Sequence, residues 1–93
     1  MASFYHIYLK PKSDVSEEQI EEKMNLALDW YKYAASCWVV KSSSDVAKWQ
    51  TRLKPLVEPD GSLLILKIDP TERQGWIAKG FWDWYKNARN KSA

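Results

Sequence analysis

Two segments of this chain are apolar at both alternating parities. Ser36-Cys37-Trp38-Val39-Val40-Lys41 and Leu63-Leu64-Ile65-Leu66-Lys67-Ile68 place large apolar side chains at odd and even positions alike. Successive side chains of a strand point to opposite faces, so a sheet built on these two segments must be covered on both sides. The serine-led stretch between them reads as a helix. Two short helices cannot cover two faces. The second face is left to the Trp-rich C-terminal segment or to another molecule.

The remaining elements follow from periodicity and punctuation. Phe4-Tyr5-His6-Ile7-Tyr8-Leu9 is aromatic or apolar throughout and reads as a first strand, stopped at Lys10-Pro11-Lys12 because proline lacks the amide a ladder needs. Ser16 and Gln19 form a capping-box pair, Val15 and Ile20 stand at hydrophobic-staple positions, and Glu17 and Glu18 suit a positive helix end. Ile20, Met24, Ala27, Leu28 and Tyr31 then predict one apolar stripe along a helix of about four turns. In the next strand Cys37 and Val39 face one way and Trp38 and Val40 the other. Ser43 or Ser44 can cap a second helix with Val46, Trp49, Leu53 and Leu56 on its apolar face, which Pro55 should end or distort. Glu58-Pro59-Asp60-Gly61 is turn chemistry before the strand at 63–68, which Asp69-Pro70 closes. Trp76-Ile77-Ala78 reads as a short edge strand. A final helix over about 80–90 carries Phe81, Trp84, Tyr85 and Ala88 on one side.

This order predicts an α+β fold over residues 1–93 as a single domain: a ferredoxin-like, split βαβ antiparallel sheet with two helices on one face and a C-terminal helix. The βαββαβ count is completed if the region from Tyr33 to Lys41 bends into two short strands.

Composition narrows the function classes. Ninety-three residues suit one modest core, since a chain of this size buries roughly 60–65% of its unfolded surface. Six Trp, five Tyr and two Phe supply rings that each bury about 150–250 Å2, enough to stabilise a small core or mark an interface. The net charge of +2 is uneven: residues 1–33 carry four bases and six acids, 34–60 four and three, 61–93 six and three. The basic C-terminal third would attract an anion weakly, well short of the dense basic stripe of a dedicated nucleic-acid binder. The single Cys37 permits no intrachain disulfide and fits a reducing compartment. Met1-Ala2-Ser3 runs straight into strand-like sequence without a basic or apolar leader, and no apolar run approaches the ~20 residues of a membrane span. A cytoplasmic protein without membrane contact is the expectation.

No catalytic set, metal-ligand spacing or cofactor motif emerges. His6, the only histidine, lies in an apolar strand with no Cys or acid at ligand spacing and reads as a packed or interface residue. Cys37 reads as a small core residue, because no base stands near it in sequence. Ser42-Ser43-Ser44 lacks the glycines and the Lys-Ser/Thr pair of a phosphate loop and reads as capping. Glu58, Asp60, Asp69 and Asp83 each have a turn or surface explanation. Phe4, Tyr8 and Trp38, with Lys10, Lys12 and Lys41, offer an aromatic and basic sheet on which bases could stack, but the glycine-aromatic motif of RNA-recognition sheets is absent.

One family resemblance is carried by these residues. The strand Ser36 to Lys41, the helix Ser44 to Leu53 with Arg52 near its end, the Pro55-Leu56 break, Asp60-x-x-Leu63-Leu64, and Trp76 followed by Gly80-Phe81 and Trp84 resemble the small bacterial SinR-like proteins. These are distant relatives of the small subunit of the CRISPR spacer-integration complex, and the resemblance runs over residues 4–85. It implies a ferredoxin-like fold, a homodimer and an ancestral link to metal-dependent nucleases. The family's proposed metal-binding Asp ends the first strand, where this chain has Leu9 or Lys10, neither of which supplies the oxygen a hard cation needs.

The expectation is therefore a non-enzymatic interaction module, a homodimer, serving as a subunit or inhibitor of a bacterial or phage defence-related complex. A metal-dependent endonuclease relative or a weak nucleic-acid-binding protein is the alternative. Tyr5, Ile7, Leu9, Trp38, Trp76, Phe81 and Trp84 are the candidate protein interface. Lys10, Lys12, Lys41, Arg73 and Lys79 are the candidate nucleic-acid contacts.

Overall fold

In the computed structural model, which describes residues 2–69, 74–76 and 79–90, the aromatic N-terminal run is strand β1 (Ser3–Lys10). There follow α1 (Glu17–Met24), β2 (Asp29–Ala34), β3 (Cys37–Ser42), α2 (Val46–Val57), β4 (Ser62–Ile68) and α3 (Lys79–Asn90). The sheet order is β2-β3-β1-β4, with every neighbouring pair antiparallel. The fold is α+β, a four-stranded antiparallel sheet with three helices.

The first helix is half as long as the apolar spacing predicts. Ser16 caps it as the capping box requires, its Oγ accepting the Gln19 N–H at 3.3 Å while Gln19 Oε1 accepts the Ser16 N–H at 2.8 Å. The helix stops at Asn25, and Leu26 and Leu28, at 56% and 55% exposure, gain no burial from the stripe expected to run through this region. The following Asp29-Trp30-Tyr31-Lys32-Tyr33 alternates, and its aromatic residues fit a pleated surface better than a helix. Tyr31 is therefore a strand residue, and the expected single strand becomes a hairpin. Ser36 takes φ 69° in its turn, and its carbonyl accepts the Leu9 N–H at 2.8 Å.

Cross-strand register assigns the two faces. Tyr5, Ile7 and Leu9 share a face with Trp38 and Val40 and, at its margins, Trp30, Leu63 and Ile65. On this face lie Ile20 and Met24 of α1 and Trp49, Leu53, Leu56 and Val57 of α2, all buried. Each large apolar side chain so covered contributes about 1.5–3 kcal/mol.

Two local expectations for α2 are corrected. Its cap is Asp45, not Ser43 or Ser44: Asp45 Oδ1 accepts the Lys48 N–H at 2.9 Å, whereas Ser42 Oγ accepts the N–H of Ser44 at 3.0 Å and that of the Trp49 indole at 3.0 Å. The helix also runs through Pro55 to Val57. Proline sits in its last turn, where only the Thr51 carbonyl loses an amide partner, and burial of Leu56 and Val57 outweighs that loss. Val46, expected on the apolar face, is 43% exposed.

The opposite face carries Phe4, His6 and Tyr8, then Cys37, Val39 and Lys41, then Tyr31 and Tyr33, and on β4 Leu64, Leu66 and Ile68. Helix α3 lies over its β2 side, with Phe81 and Trp84 5.7 and 5.8 Å from Tyr31, and Tyr85 5.2 Å from Phe4. Trp84 Nε1 donates to Asp29 Oδ1 at 2.9 Å, and Lys41 Nζ donates to the Ala88 carbonyl at 2.7 Å. A Cβ on Gly80 would stand 2.8 Å from the Tyr31 hydroxyl, so glycine permits the close start of this helix. The Trp-rich segment thus covers its own sheet, but only in part. Of the expected edge strand Trp76-Ile77-Ala78, Trp76 has no regular structure and the other two residues lie outside the described ones.

Candidate functional site

The uncovered part of the sheet is its β4 side. Leu64 and Leu66 stand beside Tyr8 and His6 in register yet remain 51% and 48% exposed. On the other face of the same edge, Leu63 and Ile65 join Val46, Ala47 and Gln50 of α2 around an open groove of about 410 Å3. The edge is therefore apolar on both faces. Among the described residues strand β4 has no neighbour beyond β1, and it pairs with β1 over seven consecutive positions without a bulge, so no irregularity interrupts its outer backbone row. The far edge differs: β2 carries a register shift between Lys32 and Ala34, and Lys32 forms an ion pair with Glu17 at 2.9 Å. Bulges and charges are the devices that discourage edge pairing, and β4 has only Lys67.

A second feature lies between the sheet and the start of α3. A cavity of about 310 Å3 is bounded by His6, Tyr33 and Val39 below and by Gln74, Trp76, Phe81 and Trp82 above. On its floor the Tyr33 hydroxyl and His6 Nε2 are joined by a hydrogen bond. Burial pushes the Tyr33 phenol up, and the Cys37 side chain beside it adds to that shift. Burial also lowers the His6 imidazole from its ordinary 6.5.

That last shift carries a pH dependence. A folded-state value below 6.5 means the unfolded chain binds more protons in the window just beneath it, so the neutral imidazole's contribution is complete above pH 6.5 and is lost as pH falls through the folded value. Melting followed by circular dichroism should show the wild type losing more stability between pH 7.5 and pH 5.5 than His6→Phe does. Parallel losses would remove His6 as the cause.

The expected interface residues separate into two groups. Tyr5, Ile7, Leu9 and Trp38 are at most 5% exposed and lie in the chain's own core, because α1 and α2 already cover that face, so they offer no surface to a partner. Phe81 and Trp84 are half-buried on α3 against the second face, and Trp76 is fully exposed at the cavity mouth. The expected basic contacts do not converge. Lys41 is 7% exposed with its amine held by Ala88, which removes it as a nucleic-acid contact. Lys10 is exposed at the end of β1 and Lys12 half-buried just beyond, Lys79 is exposed at the start of α3, and Arg73 lies outside the described residues. Of the two positions where the resemblance expects a carboxylate, Leu9 is fully buried and Lys10 is exposed at the end of β1. Among the described residues no three His, Cys, Asp or Glu side chains gather as metal ligands, and no helix is long and apolar enough to cross a membrane.

Sequence reasoning missed Leu64, Leu66, Tyr33 and Trp82 as surface or cavity residues. The parity of β4 held the signal for the first two: one of its faces had to be left over once α3 was spent on β2. Comparisons of the chain with protein-family models, with curated proteins and with solved structures find no match.

Proposed function

We propose that this protein is a non-enzymatic interaction module of ferredoxin-like topology that acts as a homodimer, two copies joining β4 to β4 across a twofold axis. The order β2-β3-β1-β4, in which each βαβ unit is split by a strand of the other, supports the topology. The observation that carries the dimer is the unbulged β4 edge, apolar on both faces and guarded by one lysine. A second copy is the occupant because the strand is self-complementary. An antiparallel twofold centred on Ile65 sets Leu64 opposite Leu66 on the open face and Lys67 opposite Leu63, so no like charges meet. The SinR-like resemblance supports the wider role of subunit or inhibitor in a bacterial or phage defence-related complex.

Sedimentation equilibrium should give twice the 10.9 kDa chain mass, and Leu64→Lys combined with Leu66→Lys should weaken association about 100-fold, since opposed charges replace opposed leucines. In a Cys37→Ser background, Ile65→Cys should oxidise to a linked dimer while Lys67→Cys should not. A wild-type monomer at high concentration would sink the homodimer. A dimer indifferent to the leucine changes would place the contact elsewhere.

A further inference from the structure

The cavity under α3 has walls that the dimer reading leaves unused. Its aromatic faces are mutually inclined: Tyr33 and Phe81 have ring centroids 5.8 Å apart at 57°, Phe81 and Trp82 5.2 Å apart at 72°, and His6 and Tyr33 5.5 Å apart at 59°. A flat ligand ring needs two nearly parallel faces between which to stack. Inclined walls enclose a rounded group instead. Trp76 is 103% exposed relative to the reference residue, so no packing among the described residues accounts for a tryptophan there, yet it lines the mouth of this cavity.

The electrostatics select the ligand's charge. Ring faces carry negative partial charge and attract cations, tryptophan most strongly. Among the described residues no lysine or arginine lines the cavity, and the Lys41 amine on the same sheet face is turned to the Ala88 carbonyl. Burial pushes the His6 imidazole, hydrogen-bonded to the Tyr33 hydroxyl, toward its neutral form. Val39 gives the floor an apolar patch suited to methyl groups. We propose that the box formed by Tyr33, Phe81, Trp82 and Trp76 is a binding site for an alkylated ammonium group such as trimethylammonium.

The group could arrive on a small molecule such as choline or on a trimethylated lysine side chain, and the test includes both. Titrations of the full chain by calorimetry, with ligand N-methyl proton shifts read by NMR, would compare choline, trimethyllysine and 3,3-dimethylbutanol, the neutral isostere of choline. At least one of the cations should bind about tenfold or more tighter than the neutral isostere, with upfield methyl shifts from the ring faces. The tighter of the two cations identifies the source, and either result supports the site. Trp76→Ala, at a fully exposed position, should keep the melting temperature and lose about fivefold or more in affinity. Equal binding of the isostere, no binding by either cation, or undiminished binding by Trp76→Ala would each overturn the proposal.

Discussion

Trp49→Ala should lower the unfolding free energy by about 3–5 kcal/mol, the range for emptying a large aromatic site in a core. Trp49 is fully buried at the centre of the α2 face, among Leu53, Met24 and the inward residues of β1 and β3. Its indole N–H donates to Ser42 Oγ at 3.0 Å, and the Arg52 guanidinium lies 5.0 Å over its ring. Alanine removes the ring and the donor together. Among the described residues, the Ser42 hydroxyl, 2% exposed, would keep only the Ser44 N–H at 3.0 Å. A domain of this length has a total stability of about 5–14 kcal/mol, so the variant should be marginal at 25 °C. Trp49→Phe retains most of the volume and should lose only about 1–2 kcal/mol. Urea titrations should show both midpoints falling with the slope unchanged. Equal losses in the two variants would mean that the emptied volume is not what destabilises the alanine variant.

Trp49 also marks what the sequence made readable. Its place on an apolar helix face could be read from the steps to Leu53 and Leu56, just as the outward and inward parity of β3 could be read from Cys37-Trp38-Val39-Val40. The segment from Asn25 to Tyr33 could not, because Ala27, Leu28 and Tyr31 continue a helical spacing into the stretch where Trp30, Tyr31 and Tyr33 satisfy a strand. Only the pairing of Trp30 with Val40 and Tyr31 with Val39 decides between them, and that is a tertiary contact. The site was less legible for a related reason. Tyr5, Ile7, Leu9 and Trp38 are as apolar as Leu64 and Leu66, and periodicity says that both faces of the sheet need cover without saying which face the helices take. Placing α1 and α2 on the first set leaves the second set at the surface. The cavity depends on Tyr33 and Trp82, separated by much of the chain, meeting across the sheet and α3.

Gly61→Ala should cost about 3 kcal/mol, the upper end for forcing atoms into a packed site. The backbone φ at Gly61 is not positive, so the penalty is steric. An added Cβ would fall 2.3 Å from the Lys10 carbonyl oxygen, 2.8 Å from that of Val57 and 3.0 Å from Val57 Cα. All three are backbone atoms, and none can rotate away as a side chain would. The reduced freedom of the unfolded chain returns less than about 1 kcal/mol. Relief requires moving the end of β1 or the end of α2, and these are tied together: the Lys12 N–H donates to the Leu56 carbonyl at 2.9 Å, the Gly61 N–H donates to the Val57 carbonyl, and Lys10 pairs with Ser62. Any shift therefore opens the first β1–β4 pair and displaces the start of β4. If β4 is the dimer strand, Gly61→Ala should weaken association as well as folding. Asp60→Ala, one residue earlier and exposed, should change neither by more than about 0.5 kcal/mol. Measuring the monomer–dimer constant and the urea midpoint for both variants separates the cases. Loss of stability with unchanged association would detach the dimer contact from β4, and no loss of stability would refute the steric account.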